Sequence, residues 1–81
     1  MRVDVRYFAI LRERVGSDRG CFEVKEGDTV AALWTVIVGA HPQLQPHDAS
    51  IRFAVNQEYV ERSHVLRDGD EVALIPPVSG G

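Results

Sequence analysis

Residues 68–81 read Asp68-Gly69-Asp70-Glu71-Val72-Ala73-Leu74-Ile75-Pro76-Pro77-Val78-Ser79-Gly80-Gly81. Asp68-Gly69-Asp70 predicts a tight turn. Glu71 to Ile75 alternates as a strand with Val72 and Leu74 turned inward. That strand runs straight into Pro76 with no flexible spacer. The two prolines favour an extended path, and at about 3.1 Å per residue the stretch 76–81 reaches roughly 18 Å. The final glycines have no side chains, so they fit a channel too narrow for any other dipeptide and adopt backbone angles closed to residues with a Cβ. The reactive group at this tip is the main-chain carboxylate of Gly81. A frayed tail or an expression scar is the plainer reading of a Gly/Ser ending. The missing spacer, the missing charge and the lack of residues after the glycines favour a carboxylate delivered into another protein's active site.

Working back from this strand, period-two alternation recurs in Arg2 to Ala9, with Val3, Val5 and Tyr7 on one face and Arg2, Asp4, Arg6 and Phe8 on the other. A charged loop follows, ending at Gly16-Ser17-Asp18-Arg19-Gly20. Cys21 to Lys25 reads as a strand with Phe22 and Val24 inward, and Glu26-Gly27-Asp28 as a turn. Thr29 is placed to cap a helix over Val30 to about Ala40, where Val30, Leu33, Trp34, Ile37 and Ala40 keep helical spacing. The β-branched run Val36-Ile37-Val38 and Gly39 weaken that helix, while Pro42 stops it. Residues 41–50 are expected to form a loop. Ile51 to Asn56 alternates with Ile51, Phe53 and Val55 inward, and Asn56-Gln57-Glu58 turns the chain into a short strand at Tyr59-Val60. The order strand, strand, helix, strand, short strand, strand predicts an α+β domain, a mixed sheet covering one main helix. That order is the ubiquitin-like β-grasp, here as a domain over residues 1–75 with an extended tail over 76–81.

At 81 residues the chain is one small domain, large enough to bury only about 60–65% of the surface its unfolded form exposes. Its 44% hydrophobic and 26% charged residues are ordinary for a soluble protein. A net charge of −3 argues against nucleic acid as a partner. Arg2, Arg6, Arg12, Arg14 and Arg19 are interleaved with Asp4, Glu13 and Asp18, a mixed surface rather than a phosphate track. No run is long and apolar enough for a membrane span, and there is no signal peptide. The single Cys21 forms no internal disulfide. A cytoplasmic location is therefore expected.

Alternation also places Phe8, Ala54, Ala73 and Ile75 opposite the buried set. Single exposed hydrophobes are common, but four together near the base of the tail predict a docking patch. Other candidate sites are weaker. His41, His47 and His64 lack metal-ligand spacing and no second cysteine joins Cys21, so no metal is expected. Gly16 to Gly20 lacks the lysine and the helix of a phosphate loop. Cys21 reads as a small filler on a polar strand face, and no nucleophile–base arrangement stands out. Glu58, Glu61, Asp68, Asp70 and Glu71 form an acidic grouping near the tail, either solvated or steering a basic partner.

Tyr7-Phe8-Ala9, Leu11-Arg12-Glu13, Thr29-Val30, Ala54-Val55-Asn56 and above all the run from Asp68 to Gly81 resemble the small subunit of molybdopterin synthase, the MoaD family of sulfur carriers. The resemblance covers nearly the whole chain, and Gly-Asp-Glu-Val with Pro-Pro-Val-Ser-Gly-Gly is its most specific element. It implies that a MoeB-like enzyme uses ATP to adenylate Gly81, the chain itself binding no cofactor. A persulfide-bearing sulfurtransferase then converts the adenylate to a thiocarboxylate. It further implies that Pro76, Pro77, Val78, Ser79, Gly80 and Gly81 enter a large, MoaE-like subunit within a heterotetramer. There the sulfur passes to a pyranopterin precursor, and the catalytic side chains belong to the partner. Phe8, Tyr59 and Ile75 match the family's apolar contact positions, Tyr59 and Ile75 replacing residues of different shape in some relatives.

Three competing readings stand beside this one. A carrier for thiamine, tRNA thiolation or cysteine synthesis shares the fold and the thiocarboxylate. A ubiquitin-like modifier would join Gly81 to target lysines. A non-covalent module would leave the tail idle.

Overall fold

Alternation builds the first strand of this computed structural model, which describes residues 1–77. Strand β1 (Arg2–Tyr7) buries Val3, Val5 and Tyr7 and turns Arg2, Asp4 and Arg6 to the other face. The strand then stops, two residues short of the alternation seen in the sequence. Ala9–Val15 form helix α1 where a charged loop is predicted. Leu11 enters the core with Val15 four residues on along the same side. Gly16, at φ +83°, closes the helix by donating its N–H to the Arg12 carbonyl at 2.8 Å. Arg12 and Arg14 lie in the last turn, where the helix dipole favours cations.

Strand β2 (Arg19–Glu23) returns antiparallel to β1. The Thr29 hydroxyl then caps helix α2 (Val30–Ala40), accepting the Ala32 N–H at 3.3 Å as its residue type predicts. The N–H groups of Val30 and Ala31, which no helical turn could satisfy, donate to the carbonyls of His64 and Arg62. Val30, Leu33, Trp34 and Ile37 are buried. Ala40, expected inward, is exposed at the end of the helix, just before Pro42. A second departure follows, since Pro42–His47 wind into a 3-10 helix that buries Leu44 within the expected loop.

Strands β3 (Arg52–Val55), β4 (Glu58–Val60) and β5 (Glu71–Ile75) complete a five-stranded sheet in the order β2-β1-β5-β3-β4. Only the β1–β5 pairing is parallel. Asn56 and Gln57, at φ +50° and +74°, make the two-residue turn joining β3 to β4. The inner face of the sheet, α2 and Leu66 share one apolar core. This is the mixed sheet and main helix of the ubiquitin-like β-grasp.

The turn before β5 corrects part of the acidic grouping. Asp70 is buried, its carboxylate accepting the Asn56 amide at 2.9 Å and the Arg67 N–H at 2.8 Å. Asp68 accepts the Arg2 N–H at 2.8 Å. Asp68 ties the turn to β1 through one oxygen, and Asp70, both of whose oxygens accept, ties it to the Asn56 turn after β3. Trp34 is held similarly, its indole N–H donating to Asp48 at 2.6 Å. Arg62 reaches the same Asp48 oxygen at 2.9 Å. Those two donors hold the Asp48 carboxyl below the usual carboxylate range.

Tyr7 is a polar irregularity in the core. It is 2% exposed, its ring meets His41 edge-on at 5.9 Å, and its hydroxyl has no partner among the described residues. Burial pushes that hydroxyl up to about 12 from an ordinary 10.0. The folded state therefore keeps a proton that the unfolded chain loses. The associated stability is complete below the unfolded value and is lost as pH rises through the folded one. Tyr7→Phe is expected to raise stability by about 1 kcal/mol, because it removes an unsatisfied buried group. It should also make the alkaline limb shallower. Urea unfolding at about pH 8 and about pH 11 measures both effects. A loss of stability at the lower pH would show that the hydroxyl has a partner.

Candidate functional site

The outer face of the sheet carries a groove whose floor follows from strand register. Arg6 lies opposite Ala73, Ala73 opposite Ala54, and Ala54 opposite Tyr59, so one row crosses four strands. The middle two residues of that row are alanines, and the outer two are large. A trough of about 710 Å³ results. Arg6, Phe8 and Ala9 line one side of it, Tyr59 and Gln57 another, and Ile75, Pro76 and Pro77 lead the chain out of it, with Glu71 also facing in. Tyr59 is 66% exposed and Phe8 39%. Ala54, expected in the exposed patch, is buried beneath its neighbours as the floor.

Phe8 reaches this face by a route that strand alternation does not describe. It is the residue at which β1 gives way to α1, and the next residue, Ala9, sits at φ +50°. A non-glycine residue held there stores about 1–2 kcal/mol. The elbow leaves Phe8 half out of the protein, with the Arg6 guanidinium carbon 5.6 Å from its ring centroid. A large aromatic thus stands on the rim of an apolar trough, next to a strained backbone position.

Eight of the residues singled out in the sequence meet at this groove: Phe8, Ala54, Tyr59, Glu71, Ala73, Ile75, Pro76 and Pro77. Val78, Ser79, Gly80 and Gly81 lie outside the described residues. The groove also takes in Arg6, Ala9 and Gln57, which sequence reasoning passed over as contact residues. For Arg6 the signal was present, since alternation places it on the same face as Phe8. For Ala9 it was hidden by the unrecognised helix.

The groove offers apolar area and little chemistry of its own. Among the described residues no group of three or more His, Cys, Asp or Glu is placed to hold a metal ion, and no helix is long and apolar enough to cross a membrane. Cys21 is exposed on β2, remote from the groove lining. Its sulfur accepts from Arg2 Nε at 2.7 Å and stands 3.3 Å from Asp4 Oδ1.

Known proteins share both the sequence and the fold. The ThiS family pattern matches residues 5–81. The molybdopterin synthase sulfur carrier subunit of Chlamydomonas reinhardtii is 45% identical over 83 residues, covering all of both chains. The human protein of the same name is 42% identical over 83 residues, covering 99% of this chain and 94% of its own. The crystal structure of SAMP1 from Haloferax volcanii superposes with a TM-score of 0.90 at 34% identity, again covering all of both chains. The chain thus belongs to the ThiS family, and within it aligns end to end with sulfur carrier subunits of molybdopterin synthase.

Proposed function

We propose that this chain is the sulfur-donating small subunit of a molybdopterin synthase, inactive by itself and loaded with sulfur at Gly81. The observation that carries this reading is the continuity of the apolar groove with the stalk. Strand β5 supplies Ala73 and Ile75 to the groove and passes without a break into Pro76 and Pro77. A partner seated on the groove is thereby positioned to receive the residues that follow. The sequence that follows, Val78-Ser79-Gly80-Gly81, narrows to bare backbone.

The chemistry follows from the poor reactivity of a carboxylate. An activating enzyme of the MoeB type joins the Gly81 carboxylate to the AMP moiety of ATP and releases pyrophosphate. The mixed anhydride has a good leaving group where the carboxylate had none. The terminal sulfur of a sulfurtransferase persulfide attacks the acyl carbon and AMP leaves. Cleavage of the resulting S–S bond by a thiol frees the thiocarboxylate. This sulfur nucleophile then enters the large subunit, which adds it to the pyranopterin precursor. The groove meets the activating enzyme and the large subunit in turn, so their occupancy is exclusive.

The test is intact-protein mass spectrometry after incubation with the activating enzyme, ATP and a sulfur donor. A gain equal to the sulfur–oxygen mass difference, localised to Gly81, is the expected result. No gain, with the activating enzyme competent on another carrier, would reject the reading. A second reading, a protein modifier, is favoured by the similarity to SAMP1, a small archaeal modifier protein. Higher-mass lysine adducts of this chain on immunoblots of cell extracts would support it. Carriers serving thiamine, tRNA thiolation or cysteine synthesis would load sulfur identically and differ in the acceptor.

A further inference from the structure

Among the described residues, Arg6 is the one cation that lines the groove, and its hydrogen bonding is incomplete. Its Nε is buried and meets no acceptor among the described residues. None of their carboxylates comes within 4.0 Å of its guanidinium. The acids on the same face do not serve it. Asp4 stands against the Cys21 sulfur, and Glu71 lines the groove beyond ion-pairing distance. Native proteins rarely leave a buried donor on a charged group without an acceptor, and such a donor calls for an explanation.

The neighbours of Arg6 supply one. Phe8 lies to one side of the guanidinium, its ring centroid 5.6 Å from the guanidinium carbon, within cation–π reach. Ala54, Ala73 and Ile75 give the groove beside it an apolar floor, and the side-chain oxygens of Glu71, Gln57 and Tyr59 that also line the groove make no hydrogen bond to the buried Nε. A guanidinium beside apolar surface is matched by a carboxylate, which takes two parallel N–H donors. Once the groove is covered and water leaves, that pair strengthens.

We infer that Arg6 is a specificity-determining contact: the protein that seats in this groove sets an Asp or Glu carboxylate against the Arg6 guanidinium, beside the apolar side chains that cover the alanine floor. The inference rests on the docking role proposed above. It adds that the groove discriminates by charge as well as by shape. A partner with matching apolar groups but a lysine at that point is rejected, because it would bury two like charges.

The experiment measures the affinity of the full chain for the large molybdopterin synthase subunit of the same organism, by calorimetry at about 50 mM and about 300 mM salt. Wild type, Arg6→Leu, Arg6→Lys and Phe8→Asp are compared, with the melting temperature of each. Arg6→Leu is expected to weaken binding about tenfold or more and to flatten its salt dependence, because it strands the partner's carboxylate. Arg6→Lys should recover part of the loss. The melting temperature of Arg6→Leu should be no lower than that of wild type, since the change removes an unpaired donor. Wild-type affinity in Arg6→Leu, with binding lost in Phe8→Asp, would overturn the Arg6 assignment and leave the docking face standing. A lowered melting temperature with unchanged salt dependence would make Arg6 a structural residue and overturn the assignment equally. Failure of the wild type to bind would bring down the carrier reading, and this inference with it.

Discussion

Gly81→Val, or a single alanine added after Gly81, is expected to abolish sulfur transfer while leaving the fold untouched. The change lies six residues after Ile75 in sequence, and the pairings that hold β5 in the sheet end at Ile75. The melting curve should therefore superimpose on that of wild type. The chemistry has no such tolerance. On the proposed mechanism, an added residue moves the carboxylate by a full residue's length from where the activating enzyme must adenylate it, and a branched side chain blocks a channel shaped for bare backbone. Misplacement on that scale costs about a hundredfold or more in rate. Intact mass would show unmodified chain after incubation with the activating system, and molybdopterin formation would fall accordingly. A variant that still gained sulfur at its terminus, or still restored molybdoenzyme activity, would disprove delivery through the tail.

The second large effect concerns the groove. On the proposed docking role, Phe8→Asp and Ile75→Asp place a carboxylate where the partner's apolar surface closes. Each is expected to weaken association by about 2–4 kcal/mol, roughly 30-fold to 1,000-fold, the range of a central interface residue. Their effects on the isolated domain should differ. Phe8 precedes α1 and makes no capping hydrogen bond, and aspartate is favoured at such a position. Phe8→Asp should therefore leave stability unchanged or slightly raised. Ile75 is half-buried on β5 opposite Arg52, so Ile75→Asp should cost about 1–2 kcal/mol in folding. Pull-down of the large subunit together with urea unfolding separates the two quantities. Undiminished complex formation by both variants would remove the docking face from the argument.

The contrast between these positions shows what could be read from the chain alone. Alternation is a local signal, and it placed Ile75 and Ala73 correctly because β5 is a regular strand with neighbours on both sides. The same signal put Phe8 on the right face for the wrong reason, because β1 ends at Tyr7. Helix α1 is short and its cap residue supplies no side-chain hydrogen bond, so its start left no mark in the sequence. Its end did leave one, in Arg12, Arg14 and Gly16, together with the Leu11–Val15 spacing. The trough was illegible for a different reason. It depends on two alanines from separate strands meeting across a register that only the folded sheet sets. The acidic grouping misled because charge in sequence does not distinguish a solvated carboxylate from one that closes a turn. Asp70 is of the second kind.

The parallel pairing of β1 with β5 also has a mechanical consequence. A partner that grips the stalk pulls on the C-terminal end of β5, a strand paired with β1 over Glu71–Leu74 and with β3 over Val72–Ile75. Tension along that direction loads both ladders in shear. Their hydrogen bonds must yield together, whereas a strand peeled from a sheet's edge gives way one bond at a time. The residues that follow β5 are thus tethered to a strand held on both of its edges. On the proposed function, a carrier drawn into a partner's channel and withdrawn after each delivery would be loaded along the direction in which both ladders resist together.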